Sequence, residues 1–529
     1  MDTARDFTMP PGTIRLEKAS SANSTTIILS PPPTSDPHDP LNWTSTRKTV
    51  NFTLTLFYVL FTFVLNDIFY VAYTPLVEEI GMTYEVYNIA TALGFAGLAI
   101  GCIVFMPFSY RYGRRPLYIL SVTIQLVAAI WSGKVKTNGE LIAANMLMGL
   151  GGAISETIVQ VTIADLFFVH QYATVNALFL FAQATGASLG PVAAGYVIDG
   201  QGWRWMWWWC AIFLGITLIV VFFCFEETIY TAVYEGVPAY TSPDEVEAPK
   251  QDPDDTKMTQ TTSDQLAAVG SLKKKPLRRR LQLVTNTNTA IKHHFYQPFL
   301  MLIKFPAIAY AAITYGSLLA LFSILGTVLA AYLTYSPWDF SPANVGLFNV
   351  ASFVGSLAGT IMVSIASDRL VIVMAKRNSG VYEAEMRLYP AIPGSFITAA
   401  GVLMVGLGLE KGMSWVFLAF GSAIFSAGFV LCADTALCYL TDTYGNIIGD
   451  ALVAVIFVRN GLSVVIMFAL TPWIEGMGVQ NAFILMAIIA FVILSIPLPL
   501  LKWGKQARIK SAATYAHYSM RQPNCRGGI

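Results

Sequence analysis

Apolar residues in this chain come in long runs, separated by short polar stretches, from about residue 49 almost to the C-terminus. A helix needs about 20 mostly apolar residues to cross the hydrocarbon core of a bilayer. That ruler predicts twelve spans. The first six are Thr49–Pro75, Val86–Phe108, Pro116–Ser132, Leu141–Leu166, Tyr172–Val197 and Trp205–Phe225. The second six are Ile303–Tyr335, Ala343–Ala366, Leu388–Leu409, Trp415–Tyr439, Ile447–Trp473 and Val479–Leu501. Barrel strands would alternate apolar and polar positions over about ten residues. These runs do not, so the predicted class is an all-α membrane protein with two six-helix bundles, over residues 49–225 and 301–501. A polar segment, 1–48, leads into the first bundle, and a short tail, 502–529, trails the second. The stretch between them, 226–300, is acidic at first (Asp244, Glu245, Glu247, Asp252, Asp254, Asp255) and basic later (Lys273, Lys274, Lys275, Arg278, Arg279, Arg280). Such a composition cannot bury a core and reads as a disordered linker.

Composition points to lipid as the solvent. Of 529 residues, 55% are hydrophobic and 12% charged, against about 25% charged in soluble domains. The net charge of +1 implies no bulk attraction to nucleic acid. Orientation follows from Lys and Arg, because cytoplasmic loops keep the positive charge. With both termini inside, 28 of the 33 fall on the cytoplasmic side, Lys134, Lys136, Arg204 and Lys411 fall outside, and Arg459 lies within a span. The polar start shows no cleaved leader, so the first span is expected to stay in place. Cys102, Cys210, Cys224, Cys432 and Cys438 lie in apolar runs and Cys525 in the tail, and no disulfide framework is read. The five histidines show no zinc spacing, and His293-His294 reads as a solvated loop pair. The sequons at Asn23, Asn42 and Asn51 fall on the cytoplasmic side or at the start of the first span and are expected to be unmodified.

Several stretches resemble the major facilitator superfamily. Gly186-Ala187-Ser188-Leu189-Gly190-Pro191-Val192-Ala193-Ala194-Gly195 is similar to the G-x-x-x-G-P-x-x-G-G motif of drug:proton antiporters, with Ala194 for one Gly. Small residues four apart let helix backbones approach closely, and Pro191 removes a backbone donor. Tyr110-Arg111-Tyr112-Gly113-Arg114-Arg115-Pro116 resembles the superfamily's loop motif, which ends D-R-x-G-R-R; Tyr110 stands where that motif has Asp, and Met106 where it has its leading Gly. The gating candidates are therefore Arg111, Arg114 and Arg115, with Asp368 and Arg369 as their counterparts in the second bundle. Asn145-Met146-Leu147-Met148-Gly149 aligns with a motif that starts with Arg and is tied to proton coupling, and Asn145 replaces that Arg. Asp39-Pro40-Leu41-Asn42-Trp43, Gly202-Trp203-Arg204-Trp205, Glu226-Glu227-Thr228, Asp442-Thr443-Tyr444 and Arg459-Asn460 resemble the fungal drug:proton and polyamine-like branch, as does Glu383-Ala384-Glu385-Met386-Arg387-Leu388. His170-Gln171-Tyr172-Ala173 departs from that branch's usual His-Glu-Arg-Gly. The resemblance covers about Asp36 to Leu501 and implies a 6+6 facilitator fold, with alternating access around a midplane site.

A charge at the bilayer centre costs about 2.5–3.5 kcal/mol on the insertion scale, so ionisable residues in spans face a cavity or a partner. Asp67, Glu156, Asp434, Arg459, Asn460 and Asn145 are the candidates for the substrate or proton pathway. A structural ion pair or interhelical hydrogen bond is the competing reading for Asp67, Glu156, Asp434 and Arg459. Asp165 and Asp450, near cytoplasmic ends, read as capping or snorkelling groups. Asn145, Gly149, Gly152 and Glu156 step by 4, 3 and 4 and share one helix face. That face singles out Glu156 as the proton-coupling carboxylate, relieved of an arginine neighbour by Asn145. Tyr310, Tyr315, Trp207 and Phe322 could line a pocket, with lipid-facing or core packing as the favoured reading.

No G-x-x-x-x-G-K-[ST] stretch encodes ATP drive. No nucleophile–base pair or metal cluster stands at a readable spacing, so no enzyme, cofactor or metal is expected. The leading functional reading is export of a small, fairly apolar organic molecule, such as a fungal metabolite or drug. Proton influx would drive it, through a monomer in the plasma membrane. The runner-up is uptake of an organic cation such as a polyamine, with Asp67 and Glu156 as charge partners. A non-transporting sensor on the same fold is disfavoured by the short tail.

Overall fold

The computed structural model describes residues 10–15, 39–168, 171–229, 281–285, 291–378, 381–519 and 521. Lipid offers the backbone no hydrogen bonds, so each apolar run closes its own ladder as a helix. In the first bundle α1 (Ser45–Asp67) passes through a 3-10 turn, Ile68–Ala72, into α2 (Tyr73–Ile80). Then come α3 (Tyr84–Tyr112), α4 (Arg115–Ser132), α5 (Asn138–Leu166), α6 (Tyr172–Gln201) and α7 (Trp203–Cys224). A linker helix, α8 (Lys292–Lys304), precedes the second bundle: α9 (Pro306–Tyr332), α10 (Pro342–Arg377), α11 (Ala391–Glu410), α12 (Trp415–Tyr444) and α13 (Ile448–Leu494).

The last of these is two spans. Gly478, at φ 77°, breaks α13 with a conformation that only glycine adopts cheaply. Ile466 and Trp473 before it line one cavity together with Met486 and Ile489 after it, so the second arm returns alongside the first. Ten stretches among the described residues are long and apolar enough to cross a membrane, and the last, Trp415–Ser519, holds α12 and both arms of α13. The chain therefore has the expected six-plus-six helical arrangement.

Within each half, glycines set the helix spacing. A Cβ on Gly149 of α5 would strike the Gly94 carbonyl of α3, and one on Gly355 of α10 would strike the Ala423 carbonyl of α12. Removing the side chain at these points lets backbones touch. The halves meet along two seams, α3 against α13 and α6 against α10. Away from the basic loops, the first seam is joined by Asn88, whose Nδ2 donates to Thr471 Oγ1 at 2.9 Å.

Parts of the polar segments form regular structure among the described residues. The expected linker over 226–300 gives way to α8 at Lys292, because Pro298 and Met301 bury an apolar side of that helix. Arg115 donates to the carbonyl of Leu281, and Thr285 N donates to the carbonyl of Tyr112, so 281–285 packs on the loop before α4. Residues 230–280 and 286–290 lie outside the described residues. Near the N-terminus, β1 (Thr13–Arg15) pairs antiparallel with β2 (Val381–Glu383), in the loop after α10. The tail begins as a helix, α14 (Pro497–Ser519). It holds both strands' surroundings through Arg508, which pairs with Glu385 and donates to Pro11 O and, at 3.1 Å, to Thr13 Oγ1. All these basic segments gather on one face, called here the basic face; Glu79, Arg204 and Trp338 lie on the opposite one.

Candidate functional site

Two of the intramembrane candidates come together from different halves. Glu156 of α5 forms an ion pair with Arg459 of α13, and Asn460 Nδ2 donates to Glu156 Oε2 at 3.3 Å. The two charged side chains are 11% and 8% exposed for Arg459 and Glu156 respectively. A buried pair recovers its desolvation cost only with good geometry and full hydrogen bonding. This one is incompletely satisfied: Arg459 Nε and Asn460 Oδ1 are buried with no hydrogen-bond partner among the described residues. The expectation that Glu156 has no arginine neighbour is therefore corrected. The arginine missing at Asn145 is supplied from the other half of the molecule. Asn145 itself donates to Leu141 O, one turn back on its own helix, at 3.0 Å.

Asp67 has a different environment. It ends α1, where the α-helix tightens into the 3-10 turn. It faces a cavity between the halves, about 30 Å³ in volume, lined also by Tyr70, Phe322, Asn349, Ser352 and Ser422. Ser352 and Ser422 share a hydroxyl bond of 2.7 Å, and Asn349 Nδ2 donates to Val345 O at 3.2 Å. No hydrogen bond or ion pair is made by the Asp67 carboxylate among the described residues, although Glu156 lies within its electrostatic reach. One half thus contributes an acid and an aromatic ring, and the other contributes hydroxyl, amide and a second ring. Phe322, expected to be packing, lines the cavity, whereas Trp207 and Tyr310 are buried in the cores. Asp434 accepts a weak bond from Cys438 Sγ at 3.7 Å, and Tyr315 lies in the field of both Asp434 and Arg459.

The glycine motif of α6 works at two contacts. A Cβ on Gly186 would meet Leu60 O of α1 at 2.5 Å, and one on Gly190 would meet Val64 Cα at 3.1 Å. On the seam, a Cβ on Gly195 would meet Pro342 O at 2.5 Å, and one on Gly346 would meet Pro191 O at 2.5 Å. The motif thus packs α6 against its own bundle and against α10 of the other.

At the basic face Arg114 and Arg115 turn inward. Arg114 is fully buried, with its Nε 3.2 Å from Asp165 Oδ2, and Arg115 donates to Phe222 O at 2.5 Å. Glu227 caps the start of α4, accepting from the backbone N–H of Arg114 at 2.9 Å and of Arg115 at 3.0 Å. A Cβ on Gly113, at φ +98°, would strike that carboxylate. The acid absent at Tyr110 is thus replaced by Asp165, read from sequence as a capping or snorkelling group. Arg111 lies over the Tyr112 ring, 5.6 Å from its centroid. Arg369 is exposed, and the side chain of Asp368 lies outside the described residues. His294 is buried against Asp450 rather than solvated, and Asp450, in the first turn of α13, is paired with it rather than reaching toward water. Only the burial of α8, a tertiary fact, exposes this.

The major facilitator superfamily model matches residues 55–460. This chain belongs to that superfamily. It is similar to protein HOL1 of Saccharomyces cerevisiae, 27% identical over 97% of this chain and 94% of that one. A probable drug/proton antiporter of the same yeast, YHK8, is 24% identical over 83% of this chain and 80% of its own length. Among solved structures, a POT family transporter in complex with a thioalcohol-conjugated peptide matches with a TM-score of 0.61, covering 89% of this chain and 99% of that chain at 13% identity. That likeness shows the fold. The facilitator chain is a multi-pass membrane transporter of small molecules and not an enzyme.

Proposed function

We propose that this facilitator is a proton-coupled antiporter that exports a small organic cation, with Asp67 as the group that proton and cargo occupy in turn. The observation that supports this reading is the contrast between the two carboxylates. Glu156 is already neutralised by Arg459 and Asn460. Asp67 meets the cavity with no ion-pair or hydrogen-bond partner among the described residues, beside the rings of Tyr70 and Phe322. A carboxylate supplies the counter-charge that a desolvated ammonium needs, and aromatic faces add attraction of about 0.5–2 kcal/mol. A proton neutralises the same oxygen atoms, so the two ligands exclude one another. Mutual exclusion on one alternating site couples cation movement to proton movement in the opposite direction. The basic face is read as cytoplasmic, the membrane as the plasma membrane and the working unit as a monomer, so proton influx drives cation export.

A second reading is uptake of an organic cation drawn by membrane potential, worth about 2.3 kcal/mol per charge per 100 mV. The same Asp67 carboxylate, unpaired among the described residues, favours it, and the driving force separates the two. Purified protein in liposomes is to be tested with radiolabelled spermidine and choline against protein-free liposomes, under a pH gradient alone and under a potential alone. Antiport predicts accumulation in acid-loaded liposomes at zero potential, lost in Asp67→Asn. Accumulation under the potential only establishes the uptake reading, and accumulation of a neutral compound with neither cation moved overturns both.

A further inference from the structure

On the basic face the two halves meet at a buried cluster that no part of the transport reading uses. His294 of α8 is 2% exposed, and its Nδ1 lies 3.0 and 3.1 Å from the two carboxylate oxygens of Asp450. Asp450 is fully buried in the first turn of α13, where the helix dipole favours an anion. Asp450 belongs to the second half, and the linker helix α8 carries His294 against α13. From the first half comes Tyr110, the residue that stands where the loop motif has Asp. Its ring centroid is 4.7 Å from that of His294, and its hydroxyl closes on the start of α13, 2.5 Å from where a Cβ on Gly449 would be. Phe108 meets Phe295 edge-on beside it, at 6.2 Å. His294 Nε2 is buried with no hydrogen-bond partner among the described residues.

We propose that His294 is a positioning residue for alternating access: a proton on it holds Tyr110 and the two halves together at the basic face, and loss of that proton lets them part. An imidazolium is attracted both to the Asp450 carboxylate and to the face of the Tyr110 ring, the second through a cation–π contact. A neutral imidazole keeps a hydrogen bond to Asp450 but loses the attraction across the halves. Histidine is also the side chain whose ordinary titration falls near neutral pH. In the resembling motif the charge at this mouth is a permanent carboxylate in the first half. Here the first half offers the Tyr110 ring to His294, while Asp165 supplies the carboxylate to Arg114.

Charged and titratable groups surround His294 on every side. Asp450 lies against its Nδ1. His293, its ring 4.2 Å away on the same helix and tilted by 40°, has Arg521 beside it. Burial and the neighbouring His294 hold His293 below its ordinary value. From the first half, Arg114 lies 5.8 Å from the Tyr110 ring, but its charge is compensated by Asp165. Lys292, also on α8, is exposed. The imidazolium contact belongs to the acid side of the ordinary histidine range and is lost on its alkaline side. The inference concerns alternation and holds whichever cargo is carried.

Hydrogen–deuterium exchange on the full chain in lipid nanodiscs tests this, with rates corrected for the intrinsic pH dependence of exchange. Peptides covering 105–115 and 445–455 should exchange about fivefold to tenfold more slowly at about pH 5.5 than at about pH 8, in line with a desolvated cation–π contact. His294→Gln should flatten that profile, and His293→Gln should preserve it. Tyr110→Leu should remove the acid-side protection while leaving the His294–Asp450 pair in place. A flat profile in the wild type, or an unchanged slope in His294→Gln, overturns the proposal. If His294→Gln cannot be purified folded, Tyr110→Leu decides: a retained slope overturns the proposal and a lost slope supports it.

Discussion

Arg459 closes on Glu156 across the interface between the two six-helix halves, and Asn460 adds a hydrogen bond to the same carboxylate. The pair joins α13 to α5 within the spans. It must break whenever the halves separate along that seam, which ties its strength to the transport cycle. Removing one partner of a buried pair leaves an uncompensated charge and costs about 3–5 kcal/mol. Glu156→Gln should therefore lower thermal stability in detergent as well as pH-driven transport. Adding Arg459→Gln should restore much of the stability but not the coupling. The double-mutant cycle should then show a coupling energy of at least about 3 kcal/mol. Additive losses would mean that the two side chains act independently.

Asp67 should behave in the opposite way. Its carboxylate has no ion-pair or hydrogen-bond partner among the described residues. Asp67→Asn should leave stability within about 0.5 kcal/mol while abolishing exchange of organic cations for protons. A melting scan and the liposome assay separate the two effects. A large fall in melting temperature would identify Asp67 as structural.

The seam of α6 and α10 has no room for a side chain at Gly195 or Gly346. Gly346→Val should push α10 off Pro191 and cost about 1–3 kcal/mol, the usual penalty of overpacking. Transport should fall with it. Gly200→Ala, where nothing lies within 4 Å, is the control and should be tolerated. Equal damage from both substitutions would show that the close approach is unimportant.

Arg508 links three distant parts of the chain: Glu385 after α10, Pro11 and Thr13 near the N-terminus, and its own helix α14. Arg508→Ala should leave Glu385 buried without its cation, at a cost of about 3–5 kcal/mol. It should also undock β1 from β2. Limited proteolysis near Arg15 should become faster in the variant, and an unchanged cleavage rate would show that the strand is held without Arg508.

Orientation can be tested directly. A tag fused after Ile529 should resist protease added to intact cells and be cut once the membrane is permeabilised. Digestion in intact cells would invert the assignment of the basic face.

The parts of this protein that depend on transfer into lipid are legible from its residues alone. The number of spans, their division into two sixes and the gathering of positive loops follow from run length and charge, because backbone satisfaction and desolvation act locally on each run. Local sequence also singled out Asp67, Glu156, Arg459 and the glycines of α6. Which of these meet was decided only by the tertiary structure. Glu156 and Asn460 are 304 residues apart in the chain, and no spacing rule pairs residues at that distance. Arg459 therefore read as a separate candidate, and Asn145 as the loss of an arginine that the other half in fact provides. The same limit explains His294, which looks solvated in a polar stretch and is buried only because α8 packs between Tyr110 and Asp450. A charge's role in the membrane depends on its partner, and partners are chosen by how the bundles dock.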